Sequence, residues 1–171
     1  MHHATAKPWQ DSGPEAEIQP LHLVGCDPFE RALLPLLRSL METCRDPETH
    51  TWNAVYREAA GIWGAARGLP LAYGLAHIAE ALLRVRGDRL CICPAPGAEG
   101  VTRDERLLLL LLHQLRRQHL AAGQDFLLDL TEGEMDDELM QRALDFARAH
   151  SCGTPRAIGS EGVIGPRLRL I

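Results

Sequence analysis

Six consecutive leucines, Leu107 to Leu112, constrain this chain more than any other feature. At about 100° per residue they sweep the full circumference of a helix, and a helix apolar all round belongs in a core, an interface or a membrane. A bilayer span needs about 20 apolar residues. Arg106 and His113 close this run on either side, with Arg116 and Arg117 just beyond, so it reads as a central helix away from lipid. Thr102 and Glu105 have capping-box spacing at its start, and Gly123 marks its end, which predicts a helix over 102–122.

The flanking sequence supplies partners for it. Asp27-Pro28 reads as an N-cap followed by a first-turn proline, and Phe29, Leu33, Leu36, Leu37, Leu40 and Cys44 then share a helical face. Pro35 removes a backbone donor and predicts a kink or a fresh start there. Asp46-Pro47 opens a second helix, with Trp52, Val55, Tyr56, Ala59, Trp63 and Ala66 on one stripe, ending near Gly68. Leu69-Pro70 opens a third, with Leu71, Leu75, Ile78, Ala79 and Leu82 inward and Gly87-Asp88 at its close. Thr131 and Glu134 form a second capping-box pair before a last helix reaching about Ala149, with Met135, Leu139, Ala143, Phe146 and Ala147 inward.

The expectation is a mainly α single domain, a bundle of about five helices around the leucine helix. Short strands are expected near 89–93 and 167–171, and Leu21 to Val24 reads as a strand or an extended lead-in. The competing architecture is α/β, with 89–149 read as a βαβα unit whose second strand is 126–130. Residues 1–19, polar with Pro8 and Pro14, read as an N-terminal arm, 20–150 as the helical domain, and 151–171, containing Gly and Pro, as a C-terminal tail.

Composition excludes some functions. The net charge is −5, against general nucleic-acid binding. Lys7 is the only lysine, so base composition of the gene explains the arginine bias better than function does. Five cysteines cannot all pair internally, and no apolar run follows basic charge at the N-terminus, so a reducing, cytoplasmic setting is the expectation.

Four groups of residues bear on chemistry. On the wheel of the leucine helix, Leu108, Leu111, Leu112 and Leu115 make a core stripe. The opposite face, Arg106, Leu109, Leu110, His113 and Arg117, mixes large apolar groups with charge, as a polar-rimmed contact surface does. Either another helix of the same chain covers Leu109 and Leu110, or this face belongs to a non-enzymatic domain that binds itself, as a homodimer, or another protein. Second, Cys91, Cys93, His150 and Cys152 supply four soft ligands of the kind zinc takes, and underlie the alternative of a small metal- or thiol-dependent protein. A single residue between the paired cysteines is shorter than usual zinc spacing, and no cofactor is the leading expectation. Third, Tyr73, His77, Glu80 and Arg84 fall on one face of the third helix, where a carboxylate can orient a histidine. They read as a solvated, ion-paired face, or as a pocket for a ligand. Fourth, Glu132, Glu134, Asp136, Asp137 and Glu138 crowd a helix start, where the helix dipole favours them. Pro94 to Gly100 lacks the lysine and glycine register of a phosphate loop, and no catalytic triad pattern appears.

Overall fold

A computed structural model describes residues 18–48, 51–93 and 99–152, and they form a mainly α single domain with six α-helices among them. α1 spans Pro28–Arg45, α2 Trp52–Trp63, α3 Ala65–Arg86, α4 Arg103–Arg116, α5 Leu120–Leu130 and α6 Asp137–Ala149. The one described sheet is a two-residue antiparallel clip: β1, Gln19–Pro20, pairs with β2, Gly100–Val101. The strand predicted at 89–93 does not form, and Leu21–Leu23 is a 3-10 turn. The predicted strand at 167–171, and most of the arm and tail, lie outside the described residues.

α4 is the central element. Thr102 and Glu105 close the expected capping box, each side chain accepting from the other's backbone N–H. α1, α5 and α6 all pack on α4, and Leu107, Leu108, Leu109, Leu111, Leu112 and Leu115 are buried among them. A helix apolar around its girth thus meets neighbours on several sides, as its sequence requires.

The helix boundaries differ from expectation for local physical reasons. α1 runs without a break through Pro35. An interior proline costs about 3 kcal/mol, but burying one large aliphatic side chain returns about 1.5–3 kcal/mol, and Leu33, Leu34, Leu36, Leu37, Leu40 and Met41 are all buried on this helix. The α2–α3 junction falls at Gly64, whose φ of +75° suits glycine, rather than at Gly68. Gly68 lies inside α3, where a Cβ would stand 2.3 Å from the Ala59 carbonyl oxygen. Its missing side chain lets the two helices approach, and it terminates neither.

The expected single helix over 102–122 is broken at Gln118, in the left-handed region with φ +64°. The chain reverses there, and α5 returns along α4 with Gly123 pressed against Leu115. Residues 126–130 are helical, which removes the βαβα alternative: Leu127 and Leu130 bury on one helical face. Asp136, not Thr131, caps α6, accepting from the Leu139 N–H at 2.6 Å. The Thr131 hydroxyl instead donates back to the Leu127 carbonyl at 2.8 Å.

Among the described residues, no helix is long and apolar enough to cross a membrane.

Candidate binding site

The predicted contact face of α4 is occupied by its own chain. Leu109 is fully buried, and Leu110 is half-buried against the core. His113 and Arg117 turn toward the start of α1, where Arg117 donates to the Asp27 carboxylate at 2.8 Å and His113 Nδ1 lies 3.4 Å from Glu30 Oε2. Arg106 is half-buried. The surplus apolar girth that suggested a partner surface is satisfied internally, so Leu109 has no surface to offer a partner.

The two halves of the predicted zinc set do not meet. The Cys91 and Cys93 backbone N–H groups bond to Asp104 and Glu105, in the first turn of α4. His150 and Cys152 bond through their backbones to Arg116, the last residue of that helix. The two ends are about 18 Å apart at 1.5 Å per residue. Burial pushes the Cys26, Cys44 and Cys91 thiols upward, Cys44 to about 11, which disfavours the reactive thiolate.

One cluster does bring ligand-type atoms together: Asp27, Glu30 and His113 lie within 4.8 Å of one another. Arginine already fills it. Arg116 binds Glu30 and lies 3.5 Å from Asp27, and Arg117 holds Asp27. Burial pushes the Asp27 carboxyl up, yet its hydrogen bonds with Glu30 and Arg117, with Arg116 alongside, hold it well below the usual carboxylate range. Two guanidiniums repel a cation, so this is an ion-pair node joining α1 to α4. Three of the acidic residues around the start of α6 are likewise matched: Glu132 meets Arg86 and Arg89, and Arg84 takes Asp136 and Glu138.

One open concavity lies between α3 and α6. A cleft of about 340 Å3 is lined by Pro70, Tyr73, Gly74, His77, Arg142, Asp145, Phe146, Ala149 and His150. A second, of about 390 Å3, adjoins it and shares Pro70, Ala149 and His150, with Phe29, Ala66, Arg67 and Arg116 on its other walls. Each is of the size that takes a small ligand or one or two side chains.

The groove is built from sequence upward. Pro70 and Tyr73 stand on the outward side of α3, and Tyr73 is 58% exposed. At Gly74 a Cβ would stand 3.1 Å from the Phe146 ring, so glycine there lets the ring settle against α3 and form the cleft floor. Phe146 and Phe29 flank His150, with ring centroids 4.6 and 6.0 Å away, and the Arg116 guanidinium lies 3.9 Å over Phe29. Burial, then Arg116 and Arg67, push His150 below the usual histidine range.

Of the α3 stripe, Tyr73 packs edge-on against His77, with centroids 4.3 Å apart, and both line the cleft. Arg142 of α6 donates to His77 Nδ1 at 2.6 Å, which leaves the proton of a neutral ring on Nε2. Glu80 lies 3.4 Å from the same nitrogen but does not line the cleft, and Arg84 serves the acidic run. Sequence reasoning found Tyr73 and His77. It missed Gly74 as a shaping residue, took Phe146 as core alone and used His150 only as a metal ligand, because the cleft exists only once α6 lies on α3. No family model, curated protein or solved structure matches this chain.

Proposed function

We propose that this is a non-enzymatic binding domain that takes an apolar side chain of a partner protein in the α3–α6 groove. The observation that carries the reading is the groove itself, walled by Tyr73, Pro70, Phe146 and His150. Leu69, 43% exposed, and exposed Tyr73 extend the apolar ground along the outer side of α3. Aromatic anchors beside a preformed concavity dominate many interfaces. Polar groups at the margin, His77, Arg142 and Asp145, would orient the partner more than hold it.

The test uses groove-blocking variants. Ala149 is exposed and lines both clefts, so Ala149→Trp fills the groove without entering the core. Tyr73→Ala removes the outer wall. A protein retained from a lysate by the unsubstituted chain, and lost from both variants at unchanged helix content, supports the reading. Equal retention by all three overturns it. Sedimentation across a concentration range separates self-association from a different partner.

A further inference from the structure

Resting on that groove, we infer that the partner segment it accepts is an apolar one carrying a carboxylate, with the anion at Arg67. The argument is one of charge balance. Four charged residues line the two clefts, and three are already satisfied within the chain. Arg142 is held by Glu138, with Nε 3.0 Å from Oε1. Asp145 is held by Arg148 at 3.1 Å. Arg116 is held by Glu30 and donates to the His150 carbonyl.

Arg67 alone of these four has no side-chain hydrogen bond or ion pair among the described residues, and it is exposed at the mouth of the second cleft. The first turn of α3, which supplies Ala66 and Arg67 to that wall, contains no acidic residue and no side-chain cap, so its field has the same sign. The cavity therefore pairs an aromatic floor with one positive charge at its edge that is unmatched among the described residues. A carboxylate beside an apolar side chain complements both, and a cationic segment would meet repulsion.

The test uses two probes of nearly the same shape. 1-Anilinonaphthalene-8-sulfonate is an apolar aromatic anion, and N-phenyl-1-naphthylamine is its neutral counterpart. Each is titrated by fluorescence against the full chain and against Arg67→Glu, Ala149→Trp and Arg57→Glu, the last a charge control on α2 outside both clefts. The expected result is that Arg67→Glu weakens the anionic probe about five-fold, the scale of an exposed charge pair, and leaves the neutral probe unchanged. Ala149→Trp weakens both, Arg57→Glu neither, and salt weakens only the anion. Should Arg67→Glu leave the anionic probe unaltered while Ala149→Trp expels both, the charge selection is overturned and the groove stands. Should Ala149→Trp expel neither probe, the groove reading falls, and the selection with it.

Discussion

Replacing Glu105 by glutamine tests the architecture at its tightest polar point. Glu105 Oε1 accepts from Arg38 Nε at 2.7 Å and from the Cys93 N–H at 3.1 Å; Oε2 accepts from Arg38 Nη2 and the Thr102 N–H, each at 2.9 Å. The side chains of Arg38 and Glu105 are 0% and 3% exposed. Glutamine preserves the shape but puts an NH2 where one oxygen stood, facing two donors, and it removes the Glu105 charge from beside a buried guanidinium. Breaking a buried pair in this way costs about 3–5 kcal/mol. With a urea m-value of about 2 kcal/mol/M, the unfolding midpoint should fall by about 2 M. Arg38→Met should cost less, because Glu105 keeps the Thr102 and Cys93 backbone N–H groups. The double variant Arg38→Met/Glu105→Gln should be at least about 2 kcal/mol more stable than the sum of the singles predicts. A midpoint drop below about 0.5 M for Glu105→Gln at unchanged m, or strict additivity, would refute a desolvated pair.

Other perturbations follow from the packing. Gly68→Ala puts a Cβ into the Ala59 backbone and should cost about 1–3 kcal/mol, read as a lowered Tm, because helix backbones rather than a flexible tip must move. Leu109→Asp should abolish cooperative unfolding in circular dichroism; a folded variant with full helix content would show that Leu109 is accessible. His150 is held below its usual 6.5, so the folded chain binds fewer protons there than the unfolded one. Stability is then full above pH 6.5 and falls as pH drops toward the lowered folded value, and His150→Gln should flatten that part of the profile. Asp27 acts in the same direction, contributing above the unfolded carboxylate value of 3.8 and losing that contribution as pH falls below it. Asp27→Asn should therefore shrink the acid-induced loss of Tm.

Signals that act within a few residues were legible before the fold was known. The Asp27-Pro28 and Thr102/Glu105 starts depend on side chains bonding to their own first turn, and both formed as read. The central place of the leucine run followed from its girth alone. What sequence could not reveal depended on which segment lies opposite. Gly68 and Gly123 look like terminators along the chain, yet each exists for a neighbour that touches it from the side. Gln118 carries no strong stop signal, and the reversal there follows from the gain of folding α5 back on α4. The partners of the mixed face of α4 were out of reach for the same reason: the carboxylates that Arg117 and His113 meet, Asp27 and Glu30 at the start of α1, lie more than 80 residues earlier. Tyr73 and His77 were visible as neighbours on one helix, whereas the cleft needed α6.

The Arg38–Glu105 pair joins residues 67 positions apart. During synthesis, at roughly 5–20 residues per second, Arg38 would wait about 3–13 s for its carboxylate to be made. Over that interval the most deeply interred guanidinium of α1 has a reason to stay in water, so the first helix cannot bury its polar centre ahead of the fourth. Completion of the N-terminal half is thereby timed by a residue encoded well beyond it.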